Sequence, residues 1–304
     1  MLKIAIPASV ARQHHSRYVH NWRLATQGTG RLMLLAGDQK IEHLNDDFYG
    51  PNIAIDDATP AHLFNLADEA NVGVLAAHLG LIAAYGRLHP DIPYLVKLNG
   101  KTNLLNLKNQ DPLSLALNTV DDVWQFQKDS HLSIVGIGYT LYPGSQYENQ
   151  MLSEAGHFIY QAHRLGLLAV LWIYPRGRSV SNELDAHLAA GMAGLAASLG
   201  ADFVKLAYPQ AMNKVKMKEI VLAAGRTGVI FSGGATADPK KFLSTLAFQI
   251  AHGARGNATG RNLHQRPIAE AVRLAEAVTA ISLRGYSAEQ AYRLYLGKEN
   301  LPKK

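Results

Sequence analysis

A lysine inside an apolar run is the most informative residue in this chain. Lys205 lies in Ala201-Asp202-Phe203-Val204-Lys205-Leu206-Ala207-Tyr208, where neighbours on both sides favour burial. An unpaired buried ammonium is costly, so such a lysine either meets a carboxylate such as Asp38 or acts as a neutral amine that attacks a carbonyl to form an imine. At an ordinary pKa of about 10.4 only about one amine in a few thousand is neutral at pH 7, and bringing its pKa to near 7 costs about 4 kcal/mol. Burial and a second cation both act in that direction, and Lys97, in another strand-like run, is the candidate for the second charge. Tyr174, in Trp172-Ile173-Tyr174-Pro175-Arg176-Gly177, is a candidate proton donor and acceptor; Trp172 suits either core or pocket wall. Two glycine-bearing segments, Phe231-Ser232-Gly233-Gly234 and Ala258-Thr259-Gly260-Arg261-Asn262, suit an anion: glycine lets backbone N–H groups approach phosphate oxygens, and Arg261 can make a bidentate contact.

These residues need a scaffold that brings distant segments together. Short apolar runs of strand length alternate with longer amphipathic stretches, the pattern of repeated βα units. The strand candidates are Leu32–Ala36, Val72–Ala76, Tyr94–Leu98, Ile134–Ile137, Leu168–Ile173, Phe203–Leu206, Val229–Phe231 and a polar eighth at Gly256–Thr259. Helices are expected at Pro60–Ala70, capped by Thr59, and at Asp121–Ser130, Glu148–Leu165, Asp185–Leu199 and Ile268–Leu283, with Gly166 and Gly200 as stops. Eight strands favour a closed α/β barrel, a single (β/α)8 TIM-barrel domain over residues 1–304 with a leader at 1–30 and a helical tail at 286–304. In that fold Asp38, Lys97, Tyr174 and Lys205 fall at the C-terminal ends of strands, where such barrels build their sites, and the glycine segments follow strands seven and eight, the recurrent phosphate position. Long polar connections at Asn45–Asp57 and Lys101–Asn118 open on the same face.

Composition narrows the chemistry. With 48% apolar and 18% charged residues the 304-residue chain can bury a large core. It has no cysteine, which excludes disulfides, thiolate-bound metals and a thiol nucleophile. The thirteen histidines show no metal-ligand spacing, so no metal and no cofactor is expected. A net charge of +6 and a pI near 9.3 allow a nucleic-acid partner, but the basic residues are dispersed, and Lys214, Lys216 and Lys218 read as a solvated helix face. A modest positive field also suits small anionic substrates. Neither a signal peptide nor a membrane span is legible, so the chain reads as cytoplasmic, with no membrane or nucleic-acid partner. A noncatalytic sugar-phosphate or nucleic-acid binder that keeps the barrel is the alternative from another class, disfavoured because Asp38, Tyr174 and Lys205 are all present.

Taken in order, the motifs resemble the archaeal-type class I fructose-bisphosphate aldolases, Schiff-base barrels, over about Leu32 to Leu283. The resemblance is carried by Asp38-x-x-Ile41-Glu42-His43, Leu95-Val96-Lys97-Leu98-Asn99-Gly100-Lys101-Thr102, Gly138-Tyr139-Thr140-Leu141-Tyr142-Pro143-Gly144-Ser145, the Trp172–Gly177 segment, Gly200-Ala201-Asp202-x-x-Lys205, Ser232-Gly233-Gly234 and Gly260-Arg261-Asn262. It implies reversible cleavage of fructose 1,6-bisphosphate to dihydroxyacetone phosphate and glyceraldehyde 3-phosphate. Lys205 is then the imine lysine, Tyr174 the proton-transfer residue, Asp38 the acid beside the imine and Trp172 a substrate-positioning residue, with Ser232, Gly233, Gly234, Gly260 and Arg261 as the phosphate cradle. Lys97 and His43 join the substrate-binding set, and Arg176, Lys40 and Lys101 are the candidates for the second phosphate. A ring-based homo-oligomer is implied as well. The alternative within the same chemistry is a transaldolase-like or thiolase relative acting on another phosphorylated sugar or ketone. The departures are Gln39-Lys40 where relatives commonly have His-Gly, Ala207 where a second lysine is usual, and the polar eighth strand.

Overall fold

A computed structural model describes residues 4–70, 72–104 and 111–299. Eight parallel strands close into a barrel in sequence order: β1 Leu32–Ala36, β2 Val74–His78, β3 Tyr94–Lys97, β4 Ile134–Leu141, β5 Leu168–Ile173, β6 Phe203–Leu206, β7 Gly228–Ser232 and β8 Gly256–Thr259. Closure is through β8, whose Gly256 and Ala258 pair with Leu32 and Leu34. Helices between the strands form the outer layer, so this is the expected (β/α)8 architecture.

Strand alternation sorts the side chains into two cores. One set of positions, including Leu34, Ala36, Val74, Leu95, Val170, Trp172, Phe203 and Ile230, fills the barrel; the other, including Met33, Leu35, Ile137, Leu171 and Val204, packs against the helices. Continuing the inward set to the C-terminal end of each strand reaches Asp38, His78, Lys97, Tyr174, Lys205 and Ser232. The period of two therefore aims them at one place.

Polar β8 packs for a specific reason. Asn257 and Thr259 face outward: Asn257 donates to Ser282 Oγ at 2.7 Å on the helix Ile268–Arg284, and Thr259 donates to Asn257 Oδ1 at 3.1 Å. Gly256 sits where a Cβ would lie 1.8 Å from the Leu32 carbonyl oxygen, so only glycine lets β8 close on β1.

The leader contributes to the fold through its described residues. Its helix His15–Ala25 packs at the barrel's lower end, where Trp22 stacks on Phe203 at 5.1 Å and the Tyr18 hydroxyl donates to Asp202, anchoring the start of the strand that carries Lys205. Two strands differ from the sequence reading by two residues or more at an end. β2 begins and ends two residues later than Val72–Ala76, and β4 runs four residues past Ile137. Thr59 does not cap its helix: the helix is Ala61–Glu69 and Pro60 holds the cap position without a side-chain bond. Asp185 does cap, accepting from the Leu188 N–H at 2.8 Å.

Candidate active site

At the C-terminal face a cavity of about 290 Å³ opens among the strand ends, and Asp38, Trp172, Tyr174, Lys205, Ser232 and Arg261 line it. His43, Arg176, Gly233, Gly234 and Gly260 are also in its wall, so the sequence-chosen set converges there with the exception of Lys97.

Lys205 is 4% exposed and no carboxylate reaches ion-pair distance of it among the described residues. Its ammonium lies 5.2 Å from the Trp172 ring centre. Burial lowers its pKa; the charges of Asp38 and Glu42 oppose this, and Arg261 adds to it. Asp38 thus acts through space and not as a bonded partner, and its Oδ1 is buried without a hydrogen-bond partner among the described residues. The Asp38 carboxyl is held below its usual value: burial pushes it up, but the charges of Lys205, Lys97 and His78 and a backbone hydrogen bond outweigh that.

Lys97 sits behind the main cavity, in a chamber of about 10 Å³ shared with Asp38, His78 and Asn99. Its Nζ donates to the Asn99 carbonyl and Oδ1, both at 2.9 Å, and lies 5.5 Å from the Trp172 ring centre. Burial is the main cause that brings its pKa down to about 8, with a contribution from Lys205. The Lys97 and Lys205 ammonium groups thus lie 5.5 and 5.2 Å from the centre of one indole. His78 shares the chamber; burial and then Lys97 lower it to about 4, so its ring is neutral at pH 7, with Nε2 3.2 Å from the Asn99 carbonyl. Asn99 ties β3 to β4, donating to the Thr140 carbonyl at 2.9 Å and accepting from the Thr140 N–H at 2.7 Å.

Trp172 owes its position to glycine. A Cβ on Gly138 of β4 would lie 2.6 Å from Trp172 Cζ3 and 2.8 Å from Leu95 Cδ2, so the indole occupies space that any other residue would fill. Tyr174, one inward step further along the chain, has its hydroxyl pKa raised, first by burial and then by the charges of Asp38 and Glu42. At neutral pH it is a phenol.

The β7 and β8 loops are fastened by Asn262, which donates to the Gly233 and Ala235 carbonyls at 2.8 and 2.9 Å and accepts from the Ala237 N–H at 2.9 Å. Gly260 allows the Gln39 amide to lie where a Cβ would stand, 2.1 Å from Gln39 Nε2. Gln39, the departure from the familiar His, thereby enters the cavity wall beside the glycine loops. Arg261 is loosely paired with Asp47 at 3.7 Å, and His43 contacts the same carboxylate at 2.7 Å.

Of the three second-phosphate candidates, Lys40 points away: its ammonium lies 3.8 Å from the Phe48 ring centre and it does not line the cavity. Lys101 bonds to Thr102 and Asn103 at 3.0 and 3.1 Å and borders the small chamber. Arg176 lines the main cavity, its guanidinium 5.8 and 5.3 Å from the ring centres of Tyr142 and Tyr174. His78, Asn99, Glu42 and Asn262 are site residues to which the sequence reading gave no role. Their signal was position: each stands in, or one residue beyond, a motif already singled out, or at the inward end of a strand.

No group of three or more possible metal-ligating His, Cys, Asp or Glu residues occurs among the described residues, and none of their helices is long and apolar enough to cross a membrane.

A closed parallel barrel with a buried amine on β6, a phenol just past the end of β5 and an anion-suited edge at β7 and β8 defines a barrel enzyme of carbonyl chemistry. Residues 32–266 match the model of the DeoC/LacD family aldolases, and the chain belongs to that family, whose members are carbon–carbon lyases. The Methanocaldococcus jannaschii protein named fructose-bisphosphate aldolase/6-deoxy-5-ketofructose 1-phosphate synthase is 51% identical over 296 residues, 97% of this chain and 95% of that protein. The class 1 fructose-bisphosphate aldolase of Thermoproteus tenax is 33% identical, covering 84% of this chain and 91% of its own. Among solved structures, the fructose-bisphosphate aldolase from Slackia heliotrinireducens superposes with a TM-score of 0.96 at 47% identity, over 99% of this chain and 96% of that one. An archaeal fructose-1,6-bisphosphate aldolase, whose catalytic lysine is covalently bound to the carbinolamine intermediate of its substrate, gives 0.76 at 30% identity, over 88% and 99%. The chain is therefore a class I aldolase of the Schiff-base type.

Proposed function

We propose that this aldolase reversibly cleaves fructose 1,6-bisphosphate to dihydroxyacetone phosphate and glyceraldehyde 3-phosphate through an imine on Lys205. The observation that carries the reading is the placement of Lys205: buried, without an ion-pair partner among the described residues, and lining, together with the phenol of Tyr174, a cavity edged by the glycine loops of β7 and β8. In the cleavage direction the neutral amine of Lys205 adds to the ketose carbonyl carbon C2, and loss of water leaves a protonated imine. Tyr174 relays the proton from the C4 hydroxyl as the C3–C4 bond breaks, and the bonding pair moves into the imine to give an enamine. Glyceraldehyde 3-phosphate leaves, the enamine takes a proton at C3, and water hydrolyses the imine to dihydroxyacetone phosphate and free Lys205.

Asp38 supports the cationic imine, since its negative charge already acts on Lys205, and its unpartnered oxygen can accept from a sugar hydroxyl. Trp172 forms a wall that fixes the imine's plane. Ser232, Gly233, Gly234, Gly260 and Arg261 hold the phosphate of the three-carbon donor, and Arg176 faces the other end. Because the imine is the electron sink, turnover is expected to survive chelators.

A second reading has its own support in the 51% identical relative, whose name includes 6-deoxy-5-ketofructose 1-phosphate synthase. Scission of that product between C3 and C4 gives dihydroxyacetone phosphate and a three-carbon oxoaldehyde with no phosphate, so one donor half-site serves both reactions. Product analysis tests the assignment. Release of equal amounts of the two triose phosphates from fructose 1,6-bisphosphate supports it; absence of both, with turnover of another ketose phosphate, refutes the substrate and leaves the imine chemistry standing.

A further inference from the structure

The acceptor end of the cavity carries cations that are already spoken for. Arg176 Nη1 lies 3.5 Å from Glu42 Oε1, and its Nε donates to Glu183 Oε2 at 3.2 Å. Glu42 also accepts from the Tyr142 hydroxyl at 3.0 Å. With Lys101 nearby, two cations stand beside two carboxylates, and the local charge is close to balanced. A phosphate on the incoming substrate can take bidentate bonds from Arg176 only by displacing a carboxylate from it.

The two carboxylates are not equally replaceable. The Glu42 side chain is 21% exposed and anchored a second time by Tyr142, whereas that of Glu183 is 52% exposed and, among the described residues, bonds to Arg176 alone. Glu183 also lines the main cavity and belongs to the connection that follows Arg176, which is pinned across the mouth where Arg178 donates from its N–H to Asp111 at 2.7 Å. The connection can therefore stay in place while one side chain swings.

We infer that Glu183 is a specificity-determining residue: it occupies on Arg176 the place a second phosphate would take, so that the site joins its three-carbon donor to short uncharged aldehydes as well as to phosphorylated ones. With Glu183 in place Arg176 is neutralised and an uncharged acceptor meets a half-buried cation whose charge is already paired. With a phosphorylated acceptor the phosphate replaces Glu183, whose carboxylate moves into water. The inference rests on the imine reading given above and assigns it an acceptor class and the residue that sets the preference.

The test is run in the synthetic direction, with dihydroxyacetone phosphate saturating and D-glyceraldehyde 3-phosphate or D-glyceraldehyde as acceptor. Glu183 acts through Arg176, so the readout is the ratio of kcat/KM for the two acceptors. In Glu183→Gln the ratio is expected to move toward the phosphorylated acceptor by about two- to fivefold, the worth of one half-exposed ion pair, and to fall back as salt is added. A merely structural role moves both acceptors together. An unchanged ratio, a ratio shifted the other way, or failure of the wild type to use D-glyceraldehyde overturns the inference. Borohydride trapping of dihydroxyacetone phosphate on Lys205 in the same samples separates the two levels: normal trapping with an unmoved ratio removes only the role of Glu183, and absence of trapping removes the imine reading with it.

Discussion

Gly138→Ala probes whether the placement of Trp172 matters to turnover. The added Cβ would stand 2.6 and 3.0 Å from Trp172 Cζ3 and Cη2 and 2.8 Å from Leu95 Cδ2. Carbon atoms pack best at about 3.5–4.0 Å, so the ring or the strand must give by about 1 Å. Trp172 is 1% exposed, and the Lys97 and Lys205 ammonium groups lie 5.5 and 5.2 Å from its ring centre, so a shift of the indole disturbs the surroundings of both lysines. Overpacking of this kind costs about 1–3 kcal/mol, read from denaturant unfolding. A 1 Å misplacement at the site costs on the order of 10²-fold in kcat/KM, read from triose phosphate release. Trp172→Phe removes the benzo-ring edge that the Cβ strikes but leaves the Leu95 contact, so adding it to Gly138→Ala is expected to recover part of the lost stability without restoring activity. A Gly138→Ala enzyme that is folded and within twofold of wild-type kcat/KM would refute the reasoning.

Two further perturbations read separate parts of the account. Tyr174→Phe removes the phenol while keeping the ring, and is expected to lower kcat by about 10²–10⁴-fold; adduct formation at Lys205 should persist, and its loss would show that Tyr174 serves the amine instead of the C3–C4 bond. Lys97 makes stability depend on pH: its folded pKa, about 8, lies below that of the unfolded lysine, so between pH 8 and about 10.4 the unfolded state keeps a proton that the folded state has lost. Stability therefore rises with pH in that window, and the wild type is expected to gain about 3 kcal/mol relative to Lys97→Met across it. Unfolding by urea at pH 7.5 and 10 checks this, and a constant difference between the two proteins would contradict the buried-cation description.

Much of the barrel was legible because strand-length runs and inward parity survive in the sequence. Leu168–Ile173 and Phe203–Leu206 are strands with those bounds, which is why Trp172 and Lys205 could be placed on one face. The misplacement of β2 had a cost. Val72 begins the apolar run, but the strand proper starts at Val74, after Gly73 has passed within contact of the Ala25 and Met33 carbonyls, where a Cβ would lie at 2.6 and 2.7 Å. Ending the strand at Ala76 left His78 outside it, and the residue that shares a chamber with Lys97 went without a role. The polar eighth strand was placed at its observed bounds, Gly256–Thr259, but its packing was not legible: its hydrogen-bond partner, Ser282, lies 25 residues on in a helix whose register the sequence does not give. The state of Lys40 is likewise tertiary, since only the fold places its ammonium over Phe48 and turns it from the cavity.

The central claim is that Lys205 is the amine that bonds to substrate carbon. Incubation with dihydroxyacetone phosphate and borohydride, followed by mass spectrometry of peptides from the wild type and Lys205→Met, tests it most directly. A single adduct on the Lys205 peptide, absent from the variant, is the expected result; an adduct on another lysine, or none in an enzyme that turns substrate over, would contradict it.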